Sequence, residues 1–396
     1  MKITIDNELL CAAAKKVNLK GDATIQMEIM PKQEGKDYNI ISVKGCDGHF
    51  QVNTFIVGKA AIKENKSLFL PGFFADTVLK MAQYYKESFK LTVEEGKDMI
   101  LSCGTAEVPI PVLATGKVIP SSNPRTEACV PIKVDKGEFQ RAVIKGTAAA
   151  GVDGSGTILD GTAGLYLKKE GTKLCIMSVF NGQSMAASSY VAVKGTNDSF
   201  GETVKTVTVD STQLNLVSSS LEKEEIVIYI FEKQVVIEDA QTFYTFVIKS
   251  KNRFPAEKLE QMLQVPEEYG FKINMPVTGF LGAITVSELN LGAKKVPLRV
   301  HKEGDKFTLT KERNKSVLDA AEAEGEIDFH ISTELIRKLM TKFRMDSASF
   351  ELTGTTNMAP IFLKMEGDDC SQALIMPVNA SDFENEEGKS GEEAEQ

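Results

Sequence analysis

The chain has 396 residues, 42% hydrophobic and 26% charged, with a formal net charge of −9. That is the composition of a globular protein with room for more than one core; it is neither fibrous nor low in apolar residues. No run approaches the ~18 apolar residues of a membrane span, and the opening MKITIDNELL carries an acid by position 6 with no apolar stretch, so the expected location is cytoplasmic, with no membrane partner.

One pattern recurs along the chain: a short alternating strand, a polar residue, then an amphipathic helix. It starts at Lys2 (KITIDNELLCAAAKKV), Lys66 (KSLFLPGFFADTVLKMA) and Val130 (VPIKVDKGEFQRAVIKG). It starts again at Val204 (VKTVTVDSTQLNLVSSSL), Phe271 (FKINMPVTGFLGAITV) and Ile327 (IDFHISTELIRKLMTKF). The spacings are 64, 64, 74, 67 and 56 residues, so the chain is a sixfold repeat of loose period. Ile3 and Ile5, or Val207 and Val209, put one strand face toward a core. Asp6, Asp135, Asp210 and Ser332 stand where a side-chain oxygen can accept the first free helix amides. Leu335, Ile336, Leu339, Met340 and Phe343 form an apolar helix stripe, as do Leu9, Leu10, Ala13, Ala14 and Val17.

About three strands follow each helix, with EEGKD, KKEGT and HKEGD reading as hairpin turns. Two such units per domain give three similar α+β domains. Polar or Pro-rich junctions at 118–130 and 253–270 place them at residues 1–125, 126–255 and 266–380. Residues 381–396 hold seven acids and one lysine, which leaves the first 380 residues at −3. This acidic segment reads as a solvated, disordered tail.

Enzyme signatures are missing. The six cysteines form no CxxC, and the three histidines form no HExxH. GVDGSGTILDG at 151–161 is neither GxGxxG nor a phosphate-binding loop, and GxSxG does not occur. The expectation is a non-enzyme with no cofactor, no metal and no catalytic residue.

In order and in register with the repeat, several strings resemble the bacterial DNA sliding clamp family, the beta subunit of DNA polymerase III. They are LFLPGFFADTVLKMA, SCGTAEVPIPVLATGKVIP, VFNGQSMA, NRFPAEKL and LIMPVN. The resemblance covers almost all of residues 1–380. It implies a ring-forming clamp fold, closed head to tail as a homodimer, whose helices face double-stranded DNA without reading its sequence. The DNA-facing cations would be Lys15, Lys16, Lys20, Lys80, Arg141, Lys145, Arg337, Lys338, Lys342 and Arg344. The fourth and fifth helices offer no cation.

The resemblance also implies an apolar cleft for short peptides of the replicative polymerase and other partners. Carried over, its walls are Thr162, Phe180, Gly182, Gln183, Met185, Pro255, Leu259, Met358, Pro360, Leu374, Ile375, Met376, Pro377 and Val378. Gln183-Ser184 replaces the family's His-Arg, and Asn379-Ala380 replaces its terminal Arg-Leu, so a cationic rim is lost. The ring seam would use Val108 and Ile110 on one side, Ile284 and Val286 on the other. With no nucleotide motif in this chain, ring opening would fall to an ATP-dependent clamp loader. The alternative reading is a clamp-like interaction scaffold without stable ring closure.

Overall fold

The computed structural model describes residues 1–19, 23–47, 50–60, 67–70, 72–94, 97–110, 131–151, 161–167, 172–180, 184–194, 206–231, 233–248, 254–289, 296–304, 306–319, 322–344 and 347–379. The sixfold repeat is explicit in the order of elements. The first copy is β1 (Lys2–Ile5), α1 (Asn7–Val17), β2 (Thr24–Ile29), β3 (Asn39–Asp47) and β4 (Phe50–Ala60). In the second, two short strands, β5 (Leu68–Phe69) and β6 (Phe73–Phe74), precede α2 (Ala75–Tyr84), β7 (Phe89–Thr92), β8 (Met99–Cys103) and β9 (Ala106–Ile110). The third is β10 (Ile132–Asp135), α3 (Lys136–Gly146), β11 (Thr162–Leu167), β12 (Lys173–Phe180) and β13 (Met185–Ala192). The fourth is β14 (Thr206–Asp210), α4 (Ser211–Ser220), β15 (Glu225–Ile230), β16 (Gln234–Asp239) and β17 (Thr242–Val247).

A short helix, α5 (Ala256–Met262), then stands in the stretch expected to be only a junction. The fifth copy is β18 (Phe271–Pro276), α6 (Val277–Ser287), β19 (Leu298–Glu303), β20 (Lys306–Lys311) and β21 (Asn314–Asp319), followed by an extra strand β22 (Glu322–Gly325). The sixth is β23 (Asp328–Ile331), α7 (Thr333–Phe343), β24 (Ser349–Gly354), β25 (Ile361–Met365) and β26 (Ser371–Ile375).

The polar residues between strand and helix act as expected at three starts. Asp6 accepts hydrogen bonds from the Glu8 and Leu9 amides at 2.9 and 3.3 Å. Asp210 accepts from Gln213 at 2.9 Å, and Ser332 from Leu335 at 3.4 Å. Each satisfies an amide that the helix itself leaves without a partner.

Two compact units result. The first comprises Met1–Lys136 and Leu216–Lys251, the second Gly137–Asn215 and Asn252–Gln396. The division falls at the start of α3 and within α4, so the expected middle domain contributes to both units. In the first unit one sheet runs β10-β15-β16-β17-β4-β1-β7-β8-β9, with β2, β3, β5 and β6 attached at β4. Leu10, Ala13 and Ala14 of α1 and Val78 of α2 are buried with Ile3, Ile5, Ile25 and Met27. Helix α1 seats closely because residue 45 is glycine: a Cβ there would lie 2.1 Å from Val17 Cγ1.

The second unit holds a nine-stranded sheet, β14-β11-β12-β13-β26-β25-β24-β18-β22, and a four-stranded sheet, β21-β20-β19-β23. Its main core gathers Phe280 and Ile284 of α6, Ile336, Leu339, Met340 and Phe343 of α7, and strand residues of both sheets. Each buried Leu, Ile or Phe contributes roughly 1.5–3 kcal/mol. The five described cysteines are free thiols, and Cys103 and Cys175 are buried.

Candidate functional site

Alternation along the strands of the second unit gives its large sheet two apolar faces. One carries Met185, Ala187, Ile361, Leu363, Ala373 and Ile375 and packs in the core with α6 and α7. The other carries Tyr166, Met177, Val179, Ala186, Phe362 and Leu374 and packs with α5. Val179, Ala186, Leu374 and Phe362 form one continuous row, since each stands opposite the next across paired strands.

Helix α5 reaches that face because the chain ahead of it is anchored. Phe254 is buried over Gly164, where a Cβ would come within 2.3 Å of its ring. Ala256, Leu259 and Leu263 then pack on the row, while Met262, Tyr190 and Met376 stay half-buried around it. Met376 is fixed by its amide, which donates to the Ser184 carbonyl at 2.8 Å, and the Val378 amide donates to the His330 carbonyl at 2.9 Å. The result is an apolar floor with a soft, methionine-rich rim, a surface able to accept varied apolar side chains.

The expected cleft residues divide accordingly. Thr162, Pro255, Pro360, Met376, Pro377 and Val378 are half-buried, and Met358 is 64% exposed. Leu259 and Leu374 are fully buried and form the floor. Met185 and Ile375 belong to the opposite face, and Phe180 packs there too. A run such as Leu374-Ile375-Met376 cannot place all three side chains in one groove, because successive strand residues point to opposite faces. Gly182 and Gln183 lie outside the described residues. Sequence reasoning missed Tyr190 and Met262; the period of two from Ala186 would have flagged Tyr190.

The expected cations also divide. Lys15, Arg141, Lys342 and Arg344 are exposed. Lys16 binds Glu222 at 2.8 Å, and Lys80 binds Asp76 one turn away at 2.6 Å. Lys145 lies inside the unit instead of on a surface: its side chain is 4% exposed and its ammonium is 2.7 Å from Asp368. Lys20 lies outside the described residues. On α7, Arg337 pairs with Glu288, and Lys338 donates to the Ala150 carbonyl with its ammonium 5.3 Å from the Phe180 ring centre.

Thr333, Arg337, Lys338, Thr341 and Lys342 line an open concavity of about 550 Å³ beside Glu288. Partial burial alone would raise the Glu288 carboxyl. The Lys311 hydrogen bond and the Arg337 charge outweigh that and hold it below the usual carboxylate range. The acid is therefore ionised and neutralised, and the helix keeps a positive face.

Edge strands supply the third feature. Strand β4 ends the first repeat and β17 the fourth, and they pair; β13 ends the third and β26 the sixth, and they pair. The remaining repeat-ending strands are β9 and β21, and each keeps a free edge among the described residues. On β9, Val108 is half-buried and Ile110 buried. Behind β21 lies α6, where the Ser316 hydroxyl donates to the Ala283 carbonyl at 3.3 Å. Ile284 is buried in the core and Val286 is 49% exposed.

Among the described residues there is no cluster of three or more His, Cys, Asp or Glu arranged to hold a metal, and no helix is long and apolar enough to cross a membrane.

No protein-family model matches this chain, and no curated protein matches it in sequence. Its structure nonetheless matches a consistent set of solved structures. A putative DNA polymerase III beta subunit from Eubacterium rectale aligns with a TM-score of 0.75 at 18% identity, covering 96% of this chain and 100% of that one. A DNA polymerase sliding clamp from Bacillus subtilis aligns at 0.74 and 16% identity, covering 96% and 99%. A Helicobacter pylori beta clamp bound to a DNA ligase peptide aligns at 0.72 and 12% identity, covering 96% and 100%. With its six strand-helix-strand repeats and near-complete coverage of these neighbours, the chain has the fold of the DNA polymerase III beta subunits, the bacterial sliding clamps.

Proposed function

We propose that the protein is a DNA sliding clamp: two copies close head to tail around duplex DNA and tether partners through the apolar face beside α5. The observation that carries this reading is the pair of unpaired repeat-ending strands, β9 and β21. Within the chain, such strands pair with one another twice, so one copy's β9 and another copy's β21 are the complementary ends that remain. The contact is heterologous and makes a ring when it closes. Three domains per chain then give six per ring.

The internal pairs supply a register. Cys103 faces Ala106 across a two-residue turn, as Asp239 faces Thr242; Lys311 faces Asn314 as Asp47 faces Phe50. In the β17·β4 pair, Thr242 stands opposite Thr54 and Phe246 opposite Phe50. Transferring that spacing sets Ala106 opposite Leu318, Val108 opposite Ser316 and Ile110 opposite Asn314. All six then share the face backed by helices, with Val286 of α6 nearby. Val108, Ile110, Ile284 and Val286 are the proposed seam residues on this basis.

Lys15, Arg141, Lys342 and Arg344 are the proposed phosphate contacts, with Arg337 and Lys338 behind them. Such contacts neutralise phosphates without reading bases, which suits a ring that moves along DNA. The α5-side groove is the proposed site for polymerase and other peptides, and the ligase peptide on the Helicobacter clamp supports that use. The protein would act as a cytoplasmic tether and not as an enzyme, with opening left to an ATP-dependent loader.

The test is topological. Protein placed on nicked circular duplex, by a bacterial clamp loader or by reassembly of dissociated chains, should stay with the circle through gel filtration and leave once the circle is cut. Replacing Arg141 or Lys342 by Ala should lower the salt slope of duplex binding by about one each. A stable two-chain particle that is never retained on circles would overturn the clamp reading in favour of the scaffold. At the groove, Met376→Asp should weaken binding of an apolar clamp-binding peptide about tenfold or more, since an apolar side chain in such a site contributes roughly 1.5–3 kcal/mol. Native mass should not change.

A further inference from the structure

We infer that the acidic segment 381–396 docks on the cationic face of α7 of its own chain and there excludes other polyanions. The docking rests on reach and charge; only its consequence for DNA rests on the clamp reading. The segment leaves the fold near the start of α7, because the Val378 amide is held by the His330 carbonyl, two residues before the Ser332 cap. Helix α7 has 11 residues and is about 16 Å long at 1.5 Å per residue. An extended chain covers that length in roughly five residues, so a segment of 16 can lie along the helix with chain to spare.

Charge selects this surface over the others. The segment carries seven acids and one lysine. Within α7, Arg337, Lys338 and Lys342 face one acid, Glu334, and Arg344 stands at the C-cap. Glu288 beside them is already neutralised by Arg337 and Lys311. On the other described helices the cations are fewer or engaged. Lys16 and Lys80 are ion-paired, Lys136 binds Glu224 at 2.9 Å, and Lys145 is buried against Asp368. Lys15 and Arg141 are each the exposed cation of their helix. Exposed Lys342 and Arg344, on the open concavity, make the strongest positive face.

Tethering raises the local concentration of the acidic segment to about the millimolar range, so individually weak ion pairs suffice. Phe383 is its one aromatic residue, so the contact is electrostatic and yields to salt. A phosphate backbone would need the same cations. The segment therefore sets an ionic-strength-dependent threshold for polyanion binding at α7.

Carbodiimide coupling of the full chain, read by peptide mass spectrometry, tests the docking. At about 50 mM salt, carboxylates of 381–396 should couple to Lys342, and at about 500 mM, where the screening length is only several ångströms, the product should be lost. No coupling to α7, or coupling spread equally over Lys59, Lys90 and Lys342, would overturn it. A chain ending at Ala380 should bind duplex several-fold more tightly than the full chain at low salt and equally at high salt. Equal affinity at low salt would overturn the competition. If α7 couples to the segment while neither form binds duplex, the docking stands and the clamp reading fails.

Discussion

Val108→Asp is expected to turn a two-chain particle into a folded monomer. Val108 is half-buried on β9, a strand whose outer edge has no partner among the described residues. In the proposed seam it faces Ser316 of the other copy and lies against α6. An aspartate there would be desolvated on association with no cation opposite it. Burying an unpaired charge at an interface costs about 2–5 kcal/mol or more, which is roughly a 30- to several-thousand-fold loss of affinity. In the free chain the residue is partly open to water, so folding should survive. Sedimentation equilibrium over a dilution series reads the outcome. The register makes a sharper demand: Ser316→Arg should restore association of Val108→Asp, whereas Lys315 and Val317 lie on the other face and should offer no rescue when Val317 is replaced by Arg. An unchanged mass for Val108→Asp would remove β9 from the seam.

The second large effect is on stability, and it separates two roles that a lysine on a helix can have. Asp368→Ala should destabilise the second unit by about 3–5 kcal/mol, because it leaves the Lys145 ammonium buried without its carboxylate. For a unit of this size that lowers the melting temperature by on the order of 10 °C. Joint replacement by Lys145→Met and Asp368→Leu should recover most of the loss, since a buried ion pair and an apolar pair of similar volume are often close in stability. The salt slope of duplex binding should be the same in all of these variants. A lower slope with unchanged melting would instead put Lys145 on the DNA-facing surface.

Lys145 shows why one part of the site was legible and another was not. Its place on an amphipathic helix is a local property, set by spacing within 136–146. Its partner Asp368 is 223 residues away in sequence. Nothing in the spacing of either segment announces the pair, so a lysine that reads as a surface cation is an internal one. The same holds for Lys16 with Glu222, 206 residues apart. By contrast, Lys80 and Asp76 are one helical turn apart, and that pair could have been read directly.

The groove divides on the same principle. Leu374, Ile375 and Met376 were grouped because they are consecutive, yet the pleat sends Ile375 to the α6–α7 core and the other two toward α5. Alternation was available in the sequence; which face would receive α5 was not. The stretch 253–270 read as a junction because it is polar and bounded by prolines. It forms α5 because Phe254 finds Gly164, a contact between distant segments.

By itself the sequence determined the sixfold order of strand, helix and strands, three of the helix caps and the apolar stripes. Each depends on residues a few positions apart, where backbone geometry fixes who meets whom. The tertiary structure alone decided which cations stay free, which strand face becomes a groove, and that β9 and β21 are the two repeat-ending strands left over. Those outcomes depend on pairings across scores to hundreds of residues, which burial and sheet register select and local spacing cannot encode.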